Sequence, residues 1–298
     1  MKHPGLVLVI GMALAVRVAA SNDMATARLR LVSGREFECV VLHYSNDILL
    51  IQRSFGSGWA REHYARAQIE GLYFPRPAWL TDVATQTWRD ARLLRATIAT
   101  VAVEYAAWRA FKDIRGGWAP QAGLAYARLL EQAGRRSSAA RVYSAVARNA
   151  PADIRRCAAL RGAVCGYYLL PPSNALARLQ AAADSASTDA ERAELTYYIG
   201  LSHARLNQPV QSLFALLRNV VLYGREAEWE GRSLIAALPN YAALDRRDEF
   251  MSTCATLFRR YPDLRCARSL SNMYVMLVNG SNLQTFANLT LYAVELPK

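Results

Sequence analysis

Residues 131–151 read EQAGRRSSAARVYSAVARNAP, and the reading of this stretch decides the fold. Gly134 supplies a turn, Ala139 and Tyr143 follow four residues apart on one helical face, and Pro151 ends the helix. Proline stops a helix because it has no N–H to donate and its ring clashes with the preceding turn. Upstream, Leu124, the small Ala127 and Leu130 mark a first helix. Residues 119–151 therefore read as helix, turn, helix. Small residues let the two helices approach closely, and the aromatic fills the gap between neighbouring hairpins.

The pattern recurs. Residues 193–224, AELTYYIGLSHARLNQPVQSLFALLRNVVLYG, place Gly200 at the close-approach point, Leu216 where the aromatic stood, and Asn207-Gln208-Pro209 at the turn. Residues 229–262 end in LFRRYP, with Leu238, Tyr241 and Phe250 at core positions. The hairpin between, 152–187, is the weakest match: Arg161 or Gly162 falls at the close-approach point and Pro171-Pro172 at the turn. Pro151 and Pro262 lie 111 residues apart, three intervals of 37. These residues resemble the tetratricopeptide-repeat (TPR) family, whose period is about 34 residues. The resemblance implies an α-solenoid of antiparallel helical hairpins whose first helices line a concave groove for a segment of another protein. Gln121, Leu124, Arg128, Tyr197, Leu201 and Arg205 would project into it, the arginines taking acidic side chains or a terminal carboxylate. The end of the chain, 269–298, fits a last hairpin turning at Asn279-Gly280 that shields the final core face. Residues 290–298 suit a helix or a strand equally.

Residues 26–74 have a different texture. Leu29 and Leu31 alternate with arginines, and Phe37, Cys39 and Val41 alternate again after a Ser33-Gly34 turn. Ser45-Asn46-Asp47 precedes Ile48–Ile51, Gly56-Ser57-Gly58 makes a third turn, and Ile69, Leu72 and Phe74 form a last short strand. Short strands separated by turn residues predict a small β domain, closed so that no sheet edge is exposed. In strand rhythm it resembles SH3-like and Sm-like barrels. Pro75-Arg76-Pro77 ends it, and a long helix over 85–113 follows, with Trp88, Ala91, Leu94, Ile98, Val101, Tyr105 and Trp108 on helical spacing before Gly116-Gly117. The expected architecture is mainly α: a small SH3-like β-barrel over 21–77, then a TPR-like helical repeat domain over 78–298.

The first 20 residues run from a charged start through the apolar GLVLVIGMALAV to RVAAS, the order of a cleaved signal peptide with cleavage after Ala20. The expected location is outside the cytoplasm, in the periplasm or beyond it. No later stretch is long and uncharged enough to span a bilayer. The formal charge is +12. For an exported chain, the partners that suit a basic surface are an acidic protein or peptide segment, anionic lipid headgroups or an acidic envelope glycan, rather than nucleic acid. Nine arginines oppose three acidic residues between 119 and 188.

Five cysteines (Cys39, Cys157, Cys165, Cys254, Cys266) leave at least one outside any disulfide within the chain. Cys157 and Cys165 share a helix about 12 Å apart, too far to bridge, whereas Cys254 and Cys266 flank a turn. No phosphate loop, H-E-x-x-H, G-x-S-x-G, S-x-x-K or C-x-x-C motif occurs, and no two histidines have metal-ligand spacing. The chain reads as non-enzymatic, with no cofactor. Trp59, Arg61, His63 and Tyr64 make one aromatic-basic cluster, expected on an exposed loop and suited to a glycan or peptide.

Overall fold

The computed structural model describes residues 26–85, 90–261, 274–276, 279 and 283–286. The expected signal segment 1–20, Trp88, Pro262, Cys266, most of the final hairpin and residues 290–298 lie outside the described residues. The chain divides into two compact units, Met1–Ala158 and Ala159–Lys298, each with its own core.

In the first unit, β1 (Thr26–Leu31), β2 (Glu36–Ser45), β3 (Ile48–Phe55), β4 (Gly58–Ala65) and β5 (Ile69–Tyr73) form one antiparallel sheet in the order β4-β3-β2-β1-β5. The turns fall where turn residues predict them. Asn46 and Asp47 both take left-handed φ, 49° and 59°, the backbone that matches the twist of a two-residue hairpin. The expected barrel does not close, because β4 and β5 remain the two edges of an open sheet. A distant segment covers the β5 edge instead. The Leu72 N–H donates to the Arg115 carbonyl at 2.7 Å, and Gly71 bridges to Arg115 in parallel. Gly116 permits this contact: its φ is 95°, and a Cβ there would sit 2.7 Å from the Leu72 carbonyl oxygen. Arg66 ties down the same segment, donating from Nε to the Asp113 carbonyl at 3.1 Å and from Nη1 to that of Ile69 at 2.8 Å.

Helices follow the Pro75–Pro77 break: α1 (Ala78–Thr85), α2 (Ala91–Arg109), α3 (Ala119–Gln132) and α4 (Arg136–Asn149). The long helix expected over 85–113 is shorter at both ends. Asp90 caps it, its carboxylate accepting from the N–H groups of Arg92 and Leu93 at 2.7 and 3.2 Å. After Arg109 the chain leaves the helix, and Phe111 and Ile114 join the sheet's core. The inner face of the sheet (Leu29, Leu49, Ile51, Leu72) packs with Trp108, Phe111, Ile114, Ala119 and Ala122. Phe74 meets Trp108 edge-on at 5.0 Å. The sheet is thus one layer covered by helices.

Helix α5 (Ala152–Leu169) contains the division between the units. The second unit continues with α6 (Pro172–Asp184), α7 (Asp189–Arg205), α8 (Pro209–Leu222), α9 (Ala227–Ala243) and α10 (Arg247–Arg260). The first helices of successive pairs begin at Ala119, Ala152, Asp189 and Ala227, intervals of 33, 37 and 38 residues. Connections within each pair are two or three residues long, which makes helix neighbours antiparallel. Ala127, Ala139 and Tyr143 are fully buried, and Leu238, Tyr241 and Phe250 lie in the second core. Glycines stand at two close crossings. A Cβ on Gly123 would fall 2.6 Å from Val146 Cγ2 and 2.9 Å from the Tyr105 ring. One on Gly200 would fall 2.7 Å from Leu216 Cγ. Asn219, wholly buried, donates to the Ala193 carbonyl at 3.0 Å and to Ser233 Oγ at 2.9 Å, joining α7, α8 and α9.

Gly200→Ala should lower stability by about 1–3 kcal/mol, the cost of overpacking a tight interior contact, read from urea unfolding. A variant as stable as wild type would mean that α7 and α8 can separate freely at this crossing.

Candidate functional site

Five aromatic rings on the first helices of the second unit meet one another. Tyr167 and Tyr168 close α5, Tyr197 and Tyr198 lie mid-way along α7, and Trp229 opens α9. Their rings form a continuous ladder: Tyr167 to Tyr198 at 5.2 Å, Tyr198 to Tyr197 at 5.3 Å, Tyr197 to Trp229 at 5.6 Å. Such offset and edge-on pairs each add about 0.5–1.5 kcal/mol beyond the area they bury. Tyr168 and Tyr198 share a hydrogen bond between hydroxyls at 3.2 Å. Burial, followed by the neighbouring Tyr168, drives the Tyr198 phenol far above its ordinary range, so it stays protonated.

Two guanidinium groups face this ladder. Arg205 lies 5.0 Å above the Tyr167 ring and donates to the Tyr167 carbonyl. Arg232 lies 4.9 Å above Trp229 and pairs with Glu228 at 2.8 Å. Arg161 of α5 meets Glu194 of α7 at 2.5 Å. Tyr168 keeps 45% of its surface exposed, while Tyr197 and Trp229 are half-buried. The result is a partly wet aromatic surface with cations set on ring faces.

Of the six sequence-predicted groove residues, Tyr197 and Arg205 belong to this surface. Leu201 is buried at 5% exposure and packs in the core. Gln121, Leu124 and Arg128 share one face of α3 in the first unit, all half-buried. Gln121 borders a cleft of about 680 Å³ whose walls include Tyr73, Lys112, Arg115 and Trp118. Arg128 points Nη2 at Cys157 Sγ, 3.9 Å away. The remaining cluster lies on strand β4 rather than in a loop. Trp59, Arg61 and His63 alternate onto the exposed face, opposite Ser54, Gln52 and Leu50. Tyr64 turns to the other face, where it stacks near Phe37 and donates to Glu62.

Tyr167, Tyr168, Tyr198, Trp229 and Arg232 were not singled out by sequence reasoning. A signal for them exists, since Tyr-Tyr occurs at 167–168 and again at 197–198. Among the described residues, no group of three or more His, Cys, Asp or Glu is placed to hold a metal ion, and no helix is long and apolar enough to cross a membrane. Burial pushes the Cys39 thiol up to about 11 and that of Cys254 to about 12, away from the thiolate that a nucleophile needs. The chain matches no protein-family model and no curated protein.

Glu230, itself buried, takes the Arg260 guanidinium and the Tyr261 hydroxyl, the latter at 2.9 Å. Burial and that hydrogen bond raise the Tyr261 phenol from 10.0 to about 12. Folding therefore favours the protonated phenol. Its stabilisation is complete below about pH 10 and is lost as the pH rises towards about 12. Between about pH 9 and about pH 11, urea unfolding should show wild type losing more stability than Tyr261→Phe. Equal losses would remove this hydrogen bond from the alkaline transition.

Proposed function

We propose that the protein is a non-enzymatic interaction scaffold, exported to the bacterial cell envelope, which binds an acidic segment of another protein along a TPR-like helical solenoid. The arginine-flanked aromatic ladder on α5, α7 and α9 carries this reading. Tyr167 and Tyr198 anchor the ladder in the core, while Tyr168, Tyr197, Trp229 and Arg205 keep part of their surface in water, a mix of buried anchors and accessible aromatic and basic groups that suits protein recognition. The recurring helix pairs and the glycine crossing at Gly200 fit the same reading. The basic balance of residues 119–188 would speed the approach of an acidic partner, and the proposed signal segment would place the protein where that partner resides.

Affinity capture from envelope extract tests the proposal. Wild type should retain a protein partner, Tyr168→Ala should weaken retention by about tenfold or more, as loss of one hot-spot ring does, and Arg205→Glu should weaken it most at low salt. Retention unchanged by both substitutions would overturn the groove assignment.

A second reading has its own observation. Trp59 is 61% exposed on an edge strand beside Arg61 and His63, an arrangement that suits an anionic envelope glycan such as peptidoglycan. In that reading the sheet binds and the helices act as spacer. Trp59→Ala/Arg61→Ala should then abolish sedimentation with cell-wall material, whereas the scaffold reading predicts no change.

A further inference from the structure

Helix α8, PVQSLFALLRNVVL, is apolar on both of its sides. Its inner side is accounted for: Leu213 and Leu216 pack in the core. Its outer side exposes Val210 at 60%, Phe214 at 73%, Val221 at 79% and Leu222 at 56%. At about 100° per residue, Val210, Gln211, Phe214, Arg218, Val221 and Leu222 all fall within about 60° of the line opposite Leu216. Four large apolar side chains left in water on one helix face, interrupted only by Gln211 and Arg218, mark an interaction surface.

The pattern along this face identifies the occupant. It is symmetric about Leu216: Val210 and Leu222 stand six residues to either side, Gln211 and Val221 five, Phe214 and Arg218 two. When two α8 helices cross antiparallel at that level, Val210 of each meets Leu222 of the other, and Arg218 of each covers Phe214 of the other. An interface with a two-fold axis requires this reciprocity, and the arginine-on-ring contact converts two like charges into two attractive contacts. The adjoining cleft, about 550 Å³, is bordered by Phe214, Arg218, Ile199, His203 and Asp184. Among the described residues neither Arg218 nor Asp184 has an ion-pair partner, so opposite charges from the two copies are available at the rim. We propose that the outer face of α8 is the two-fold interface of a homodimer, with the paired helices antiparallel across Leu216. This face shares no residue with the aromatic ladder and does not depend on the proposed partner.

Sedimentation velocity of the full chain at micromolar concentration should show a dimer. Phe214→Asp should sediment as a monomer and keep the wild-type far-UV circular dichroism, since within one copy the replaced ring is mostly in water, while its thermal transition should fall to that of a monomer. Under oxidation, Val210→Cys/Leu222→Cys should yield a covalent dimer above the wild-type background, and neither single variant should. The proposal is overturned by a monomeric wild type, by a dimer that survives Phe214→Asp, or by cross-linking of Val210→Cys alone, which would report parallel helices. It is equally overturned if the chain stays monomeric while its α8 face retains a different protein.

Discussion

The helical part of this protein depends on how closely two helices can approach. At Gly200 there is no room for a β-carbon between α7 and the Leu216 side chain, and at Gly123 none between α3 and the Val146 and Tyr105 side chains. Packed interiors tolerate no slack of this size, so each glycine fixes the depth and the register of its crossing. Register also decides which rings meet in the second unit. It sets Tyr197 and Tyr198 level with Tyr167 on one neighbour and Trp229 on the other, which joins the rings into a ladder. The buried Asn219 amide adds a polar constraint at the same three helices, because its hydrogen bonds hold only in one register.

The sheet solves a different problem. An open five-stranded sheet has two edges with unpaired N–H and C=O groups, and an exposed edge invites pairing with another chain. The β5 edge is covered by the Asp113–Gly116 segment through Arg115, with Arg66 holding that segment in place. The β4 edge carries Arg61, Glu62 and His63, and charge of this kind discourages strand addition. The inner face needs no second sheet because Trp108, Phe111 and Ile114 cover it. Sheet and early helices therefore share one core.

Much of this was legible in the sequence where the signal is local. Asn46-Asp47, Gly56, Gly134 and Pro171-Pro172 dictate turns through their own backbone preferences, and each stands at a turn in the structure. The small and aromatic positions of the helix pairs were legible through their recurrence. Barrel closure was misread because the group that covers the β5 edge lies at residue 115, more than forty positions beyond the strand it pairs with, and no local pattern announces it. The aromatic ladder was seen only in part. A single helix face shows Tyr197, but Tyr167 and Trp229 join it only once the register between helices is known. Leu201 shares the helix face of Tyr197 and Arg205 but is covered by neighbouring helices at its level, which one helix alone does not show, and β4 was mistaken for a loop because its Gly-Trp start resembles a turn.

The central claim is that a partner docks on the tyrosine-rich surface of the first helices. The most direct measurement places a photo-activatable benzoylphenylalanine at position 168 in one preparation and at position 59 in another, irradiates each in envelope extract, and identifies what becomes covalently attached. The account predicts a discrete protein adduct from position 168 and none from position 59. Adducts from position 59 alone would contradict it and move the binding function to the sheet.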